Sequence, residues 1–442
     1  MTPAPSEPPS PRTAPPPDWR TWLVIGATGF GGPAAQIALL HRELVERRRA
    51  LEEGEFLAAM RICMLLPGPE AQQLATYAGW RQGGIRAGLL AGGLFVLPGA
   101  LLVTALAWLH ALGEKVPLVA AAFEGTRPAV VALVALAAWR IGTRSITTGI
   151  TAALSLGALA ALAAGAPFPL AMLVAGLVGV LAPVPLALPS GRSSAHPVGA
   201  VVAGPAPAKP APKGDAPPST RAGSVRHPMA VLAVALALWL ASYAVVGALP
   251  LAPDRGREIA RLFTETTLLS FGGAYAVVPW ALDASVARGW IEPADRFDAL
   301  AMGEATPGPL ILVVTFLGFF AGFSAPTHSA TLAGLCGAGI ATHFAFLPSF
   351  AMILAVAPLV GAITTSSRLG NALAAVGGVI VAGIVLLGLR LAVMAFVPDG
   401  RLDPVALLVA IAAAAALVRG RLSAPVVVAL AAGVGIVRML LG

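Results

Sequence analysis

Residues 66–70 read Leu66-Pro67-Gly68-Pro69-Glu70 and lie inside an apolar run from Phe56 to Trp80. Proline has no N–H donor and its ring clashes with the preceding turn, so a Pro-Gly-Pro triplet breaks a helix. A second triplet, Pro307-Gly308-Pro309, lies inside another apolar run, from Phe297 to Phe323. Two breaks of one kind at matching places predict a duplicated membrane protein with a functional site at the breaks.

The composition is that of a polytopic membrane protein. Of 442 residues, 57% are hydrophobic and 11% are charged, whereas soluble domains contain about 25% charged residues. The net charge is +8 at pH 7, but the basic residues form short clusters between apolar runs, as topology determinants do. We therefore predict an all-α polytopic fold in a lipid bilayer and no binding of nucleic acid.

The sequence indicates neither a cofactor nor a metal site. Cys63 and Cys336 lie in separate apolar runs and form neither a disulfide framework nor a metal-binding spacing. His110, His328 and His343 are scattered, and we interpret them as structural or interfacial residues. Because the chain has no Gly-rich phosphate loop and no Gly-x-Ser-x-Gly elbow, it is not expected to be an enzyme.

The chain divides into two repeats. Residues 1–18 form a Pro-rich tail that we expect to be disordered, and residues 189–227 form a flexible Pro/Ala-rich linker. The first repeat covers 19–188, one linking transmembrane helix covers 228–249, and the second repeat covers 257–442. The order of motifs recurs, since Phe30-Gly31-Gly32 precedes the first triplet much as Phe271-Gly272-Gly273 precedes the second.

Counting apolar runs gives a topology of about thirteen spans, six in each repeat and one between them. The runs 19–40 and 56–80 each count as one span. Six spans return the chain to its starting side and the linking helix reverses it, which predicts an inverted repeat. We expect the chain to lie in the inner (plasma) membrane. The distribution of Lys and Arg in the first repeat favours an N-terminus and a linker on the cytoplasmic side, although the cluster Arg47–Arg49 favours the opposite orientation.

A break at membrane depth exposes backbone groups, which survive only where they face protein or water. The free N–H groups and positive dipole at the start of the next half-helix favour an anion. The alternative is that each triplet is only a kink, or a turn between two short spans. The candidate substrate-binding residues at or beside the breaks are Gly31, Gly32, Pro33, Gln36, Arg61, Pro67, Gly68, Pro69, Glu70, Gln72, Gly272, Gly273, Glu304, Pro307, Gly308 and Pro309.

Ionisable residues inside spans are costly and indicate function. Glu70 follows the first triplet directly, whereas Glu304 precedes the second by three residues, so the two repeats are chemically unequal. Glu124 and Arg127 are also candidate substrate-binding residues. Their i, i+3 spacing places them on one helix face, where they form an ion pair with each other or Arg127 compensates the charge of a substrate.

Several short motifs in both repeats together form a recognisable pattern. They are Phe30-Gly31-Gly32-Pro33, Glu43-Leu44-Val45, the string from Cys63 to Ala75, Phe95-Val96-Leu97-Pro98-Gly99-Ala100, Phe271-Gly272-Gly273 and Thr306-Pro307-Gly308-Pro309. By these motifs the sequence resembles the chromate ion transporter family of the long, two-domain type, over both repeats. One mild departure is Ala50-Leu51, where the family often has Trp, while the second repeat keeps Trp290-Ile291.

The resemblance implies export of chromate, with sulfate as a related or competing oxyanion, and resistance to metal oxyanions. We therefore expect a secondary transporter that works on the membrane potential, with proton coupling through Glu70 or Glu304 as a further hypothesis. The alternatives are a sulfate or other oxyanion transporter and an integral-membrane enzyme acting on a lipid phosphate. The sequence leaves the oligomeric state open, with a homodimer among the alternatives.

Overall fold

The computed structural model describes residues 17–113, 116–182, 226–249, 251–325, 329–360 and 367–441. Within these ranges the chain folds into sixteen α-helices with short 3-10 or π turns and without a β-strand. Helices satisfy their own backbone hydrogen bonds, as an apolar environment requires. The predicted all-α fold is confirmed.

Seven described helices precede the linker and nine follow. The first set is α1 (Trp19–Thr28), α2 (Gly32–His41), α3 (Glu53–Leu65), α4 (Glu70–Gly113), α5 (Pro117–Ser145), α6 (Gly149–Ala163) and α7 (Phe168–Leu181). The second set is α8 (Arg226–Val246), α9 (Pro253–Leu268), α10 (Val278–Ala287), α11 (Asp295–Ala305), α12 (Val313–Phe323), α13 (Ala330–Val356), α14 (Ser367–Phe396), α15 (Pro404–Val418) and α16 (Ala424–Leu441).

The predicted tail and linker lie largely outside the described residues. At their edges the structure differs slightly from the prediction. Arg226 and His227, the last linker positions, already belong to α8. Asp18, the last tail position, is the N-cap of α1 and accepts the Thr21 N–H at 2.9 Å.

Six described helices are long and apolar enough to cross a membrane. They are the helical segments Glu70–Gly113, Pro117–Ser145, His227–Val246, Ala330–Leu359, Arg368–Phe396 and Ala424–Leu441. The apolar helices α6 and α7 are shorter, with 15 and 14 residues. The chain is therefore a multi-pass membrane protein, and the total of about thirteen spans stays a prediction.

The predicted span 56–80 is instead a hairpin. Glu55, near the start of α3, accepts hydrogen bonds from Tyr77 and Arg81, which lie on the next helix beyond the first triplet. The two limbs therefore run antiparallel, with Pro-Gly-Pro at the tip. With 13 residues, α3 is about 20 Å long, too short for a hydrocarbon core of about 30 Å. An apolar run of spanning length thus folds back on itself because its middle cannot be helical.

The chain reverses again within α4, at Gly83 and Gly84, whose backbone angles are not helical. On either side of this turn Gly79 lies against Ala87, and Gly88 lies against the Thr76 carbonyl. The segment 70–82 is therefore the second limb of the hairpin, and 85–113 is the long helix that follows it. The positive φ of Gly84 (73°) explains why glycine stands at this turn.

Three further breaks divide the remaining hairpin segments. The predicted span 19–40 is two ten-residue helices, α1 and α2, separated by residues 29–31. Helices α9 and α10 form a second pair, in which the Arg255 guanidinium near the start of α9 stacks on Trp290 beyond the end of α10, at 5.6 Å from the ring centroid. Helices α11 and α12 are separated by the second triplet.

Equivalent helices of the two halves pack antiparallel. In α4 and α13, Gly88 faces Leu354 and Gly92 faces Phe350, so the numbering rises in one helix as it falls in the other. The same holds for α5 and α14, where Gly142 faces Val381 and Ser145 faces Gly377. The long helices at the centre of the fold therefore point in opposite directions in the two halves.

Small residues interlock the halves at two equivalent crossings. Gly435 of α16 lies against the Ala121 carbonyl and Gly125 of α5. Gly179 of α7 lies against Asn371 and Ala372 of α14 in the same way. Backbones approach this closely only where side chains are absent. Each half therefore packs its last helix against a long helix of the other half.

Candidate functional site at the hairpin tips

Four non-helical segments form the hairpin tips. We name them tip 1 (residues 29–31), tip 2 (66–69), tip 3 (269–273) and tip 4 (306–309). Glycines with positive φ, a conformation that other residues adopt at a cost, occur in or directly after every tip. They are Gly31 (92°), Gly32 (77°), Gly68 (123°), Gly272 (77°), Gly273 (101°) and Gly308 (99°). The predicted breaks are therefore sharp turns of the backbone.

Tip 2 of the first half bonds to tip 3 of the second half. The Gly68 N–H donates to the Ser270 hydroxyl at 2.9 Å and lies 3.3 Å from the Ser270 carbonyl. Beside this contact the Glu70 carboxylate lies against Gly273, where a Cβ atom would stand 3.3 Å from both carboxylate oxygens. The predicted residues of these two breaks are therefore neighbours in space.

Tip 4 of the second half bonds to tip 1 of the first half. The Gly308 N–H donates to the Gly29 carbonyl at 3.1 Å. The Gln36 amide donates to the Gly308 carbonyl at 2.6 Å and to the Gly29 carbonyl at 3.0 Å. The middle glycine of each triplet thus uses its N–H to bond a tip of the other half, which satisfies buried backbone groups that the broken helices leave unpaired.

Each triplet also lies against a long, proline-containing helix of the other half. Helix α4 carries Pro98 and α13 carries Pro348. A Cβ on Gly99 would lie 2.1 Å from the Pro307 carbonyl, and one on Gly68 would lie 2.7 Å from the Ser349 hydroxyl. The triplets are therefore packed without space for a larger residue at these positions.

The two predicted carboxylates border the same segment. Glu70 and Glu304 are only 8% and 9% exposed. Glu304 accepts a hydrogen bond from the Tyr275 hydroxyl, and Tyr275 lies two residues beyond Gly273, the glycine that Glu70 contacts. The two carboxylates occupy different positions in their repeats, yet both contact the same segment of backbone, at the end of tip 3 and just after it.

Helices begin directly after the tips. Helix α2 begins at Gly32 and α4 at Glu70, and 3-10 turns begin at Ala274 and Leu310. No side chain caps the turn that follows Gly31, Gly273 or Pro309. The first N–H groups of a helix lack intrahelical partners and carry the positive end of its dipole. The tips therefore offer hydrogen-bond donors to an anion, close to two carboxylates.

Two glutamines hold the tip 2 region in place. Gln72, a predicted residue, is fully buried, and its amide bonds Thr76 at 2.8 Å and Ser349 at 2.7 Å, so it ties α4 to α13. Gln73 donates to the Pro67 carbonyl at 2.8 Å and fixes the turn. Within the described residues the side-chain oxygens of Gln36 and Gln73 are buried without a hydrogen-bond partner.

The remaining predicted residues lie away from the tips. Arg61 is exposed on α3. Glu124 and Arg127 line a separate cavity of about 550 Å³ between α5, α14, α15 and α16. The ion pair of Glu124 with Arg127, one of the two predicted alternatives, is not formed between these described residues, and the Arg127 guanidinium lies over the Phe297 ring at 5.9 Å. At the rim of this cavity, a hydrogen bond from Arg438 holds the pKa of Asp403 below its usual range.

Sequence reasoning missed four polar residues at the tips and one cation. Ser270, Gln73, Tyr275 and Ser349 make the contacts described above, and Arg140 of α5 acts electrostatically on Glu304. Single polar residues inside apolar runs carry little signal. For Arg140 a signal exists, since Trp139-Arg140 aligns loosely with Leu389-Arg390 in the second repeat.

Comparison with known proteins yields one family and several relatives. The family model described as chromate transporter matches residues 19–180 and again 257–436. A chromate transport protein of Pseudomonas aeruginosa is 32% identical over 350 residues, covering 79% of this chain and 74% of the relative. One from Cupriavidus metallidurans is 28% identical over 422 residues, covering 94% and 91%. A probable chromate transport protein of Synechococcus elongatus is 26% identical, covering 76% and 74%. No solved structure matches the chain.

Proposed function

Because this chain belongs to the chromate transporter family, we propose that it is a secondary transporter that exports chromate across the cytoplasmic membrane and confers chromate resistance. Membership of this family indicates a transporter and not an enzyme, so the lipid-phosphate enzyme considered above has no support. Relatives named chromate transport proteins support the substrate. Export and resistance are our proposal, drawn from the family resemblance.

The meeting of the four tips is the observation that carries the proposed site. Uncapped helix starts, left-handed glycines and the bonds Gly68–Ser270 and Gly308–Gly29 gather polar backbone among otherwise apolar helices. Backbone of this kind is tolerated at membrane depth only where protein or a water-filled cavity satisfies it. An oxyanion can accept hydrogen bonds from the N–H groups at the start of a helix, so it is a suitable ligand for a site of this kind.

We propose an inverted repeat that brings hairpins into the membrane from opposite faces. The antiparallel packing of α4 with α13 and of α5 with α14 supports it, since equivalent helices run in opposite directions in such a repeat. The N-terminus and the central linker would then be cytoplasmic, and tips 1 and 2 would enter from that side. Alternating access would come from movement of one pair of hairpins against the other.

Membrane potential supplies the driving force in this proposal. One charge crossing 100 mV is worth about 2.3 kcal/mol, so a dianion leaving an interior-negative cell gains roughly twice that amount. Glu70 and Glu304 would repel a dianion while they are ionised. Proton binding by either carboxylate would remove that repulsion, and we propose this as the route by which a pH gradient contributes.

Chromate uptake into inverted membrane vesicles tests the function. Such vesicles expose the cytoplasmic face, so an exporter accumulates chromate in them. Competition by sulfate and vanadate then distinguishes a chromate transporter from a general oxyanion transporter, and imposed voltage and pH gradients separate the two driving forces. Uptake no greater than in vesicles that lack the protein would contradict export, and uptake that follows voltage alone would contradict proton coupling.

A further inference from the structure

A histidine and two aspartates from different halves meet away from the tips. His110 lies near the end of α4, and Asp295 and Asp298 lie in the first turn of α11. The same ring nitrogen, His110 Nε2, lies 3.5 Å from Asp295 Oδ1 and 3.8 Å from Asp298 Oδ2. One ligand atom from each residue lies within 4.8 Å of the other two. The three side chains therefore converge on one point.

The separations fit ligands of a shared ion better than direct hydrogen bonds. A charge-assisted N–H···O bond is about 2.7–2.9 Å long, shorter than both distances here. Nitrogen and oxygen ligands lie about 2.0–2.2 Å from Zn²⁺ in tetrahedral sites, so two ligands of one ion stand roughly 3.3–3.6 Å apart. The observed spacing is close to that arrangement.

The two carboxylates are oriented for this role. Asp295 Oδ2 accepts the Glu292 N–H at 2.7 Å, which leaves Oδ1 facing the histidine. Asp298 is only 3% exposed, and its Oδ1 has no hydrogen-bond partner among the described residues. A buried carboxylate oxygen without a partner is costly, and a cation bound by both oxygens of Asp298 would satisfy it. Asp295 keeps 18% of its side chain exposed, which gives an ion access from outside.

The surroundings favour a dication. Beyond the three residues, Glu124 and Arg127 of α5 act electrostatically on Asp298, and their charges oppose each other. Helix α12 places the rings of Phe316 and Phe320 beside the imidazole. Two carboxylates held in this apolar surrounding carry a charge that one divalent ion balances.

We propose that His110, Asp295 and Asp298 bind a divalent transition-metal ion of the zinc class, with water at the remaining position. Imidazole and carboxylate donors suit such ions. The ion would join α4 of the first half to α11, the limb that leads into tip 4. It would therefore restrain that hairpin. The sequence does not predict this site, because its histidine and aspartates lie on different repeats.

A second histidine with two carboxylates supplies a matched control. His41 uses Nδ1 toward Glu46 at 3.2 Å and Nε2 toward Glu53 at 2.7 Å. Its two partners therefore lie at different nitrogens of the ring and do not converge on one ion. A substitution at His41 removes a histidine of similar surroundings without touching the proposed site.

Calorimetric titration of the purified full-length protein with Zn²⁺ in detergent tests the proposal. We expect His110→Gln and Asp298→Asn to weaken Zn²⁺ binding by more than the roughly 10–100-fold that loss of an outer-shell partner costs. His41→Gln should keep the wild-type affinity. Co²⁺ should give a visible absorption band in the wild type and the His41 variant only. The melting temperature without metal identifies a variant that fails to fold, and Asp295→Asn then replaces it.

Equal Zn²⁺ affinity in the wild type and in folded His110→Gln or Asp298→Asn would overturn the site, as would a folded wild type that binds no Zn²⁺. Binding lost only in His41→Gln would also overturn it. These readouts need no substrate, so they stand apart from any test of transport.

Discussion

The Gly68 N–H donates to the Ser270 hydroxyl at 2.9 Å and so joins a hairpin of the first half to a hairpin of the second. Ser270→Ala removes this acceptor. We expect a loss of about 1 kcal/mol of stability, the usual net worth of one hydrogen bond, and a several-fold fall in chromate transport because Gly68 would keep only the longer, 3.3 Å bond to the carbonyl of residue 270. Ser155→Ala is the control, since its buried hydroxyl has no partner among the described residues. Unchanged transport in Ser270→Ala at equal abundance would contradict this role.

Gly273→Ala tests whether Glu70 needs the space beside tip 3. The new methyl group would stand 3.3 Å from both carboxylate oxygens, and the backbone of the alanine would be strained at φ 101°. Gly272→Ala also places a side chain at a positive φ, 77°, but the new methyl group meets Ile380 at 3.9 Å and does not approach Glu70. We therefore expect vesicle uptake to be abolished in Gly273→Ala and retained in part in Gly272→Ala. Equal loss in both would assign the effect to strain alone.

Glu70→Gln and Glu304→Gln test proton coupling. If a carboxylate carries the proton, its amide variant keeps voltage-driven uptake and no longer responds to an imposed pH gradient. Tyr275→Phe removes the hydrogen bond to Glu304 and should shift the pH dependence of uptake without abolishing it. Glu258→Gln, at an exposed position of α9, should behave as the wild type. An unaltered response to the pH gradient in both amide variants would exclude these two carboxylates.

Arg140→Ala should raise the KM for chromate several-fold. Arg140 acts electrostatically on Glu304, so it contributes positive charge where the anion is proposed to bind. Arg144→Ala, one turn further along α5 and exposed, removes the same charge at a residue that is not among the groups acting on Glu304. Initial rates of uptake at several chromate concentrations measure the effect. A larger change in the Arg144 variant would refute the assignment.

Arg127→Ala should leave the KM for chromate unchanged. The sequence favours this residue as a charge partner for the substrate or for Glu124, but it lines a cavity with Asp403 and Arg438, and its guanidinium lies over Phe297. Loss of that contact should lower the melting temperature instead. A KM that rises as far as in Arg140→Ala would return Arg127 to the substrate site.

The triplets and the repeated order of motifs could be predicted from the sequence because proline and glycine act locally. Pro67, Gly68 and Pro69 forbid a helix wherever they stand, and Gly308 in the second triplet has the left-handed φ that such a turn requires. The consequence of the break could not be predicted in the same way. A 25-residue apolar run fits both one broken span and two short limbs, and the contacts of Glu55 with Tyr77 and Arg81 distinguish them.

The partner of each tip could not be predicted from the sequence either. Spacing pairs Gly68 with Gly308 as equivalent positions, yet in space each bonds the glycine-rich tip of the other half, at Ser270 and Gly29. Such contacts depend on how the long helices pack. For the same reason the sequence places Glu70 and Glu304 at separate breaks, whereas Gly273 and Tyr275 bring both to one segment.

The exchange of tips between halves has a genetic consequence. A gene that encoded one repeat would produce a chain whose two tips both lack partners, and no folding of that chain on itself would supply them. In the inverted arrangement that we propose, such a chain would have to insert into the membrane in both orientations. Two copies of opposite orientation would then have to pair. Fusion through a helix such as α8, which reverses the direction of insertion, fixes the two orientations in one molecule. Each half is then free to mutate alone, and this is how a carboxylate at Glu70 can arise without a counterpart.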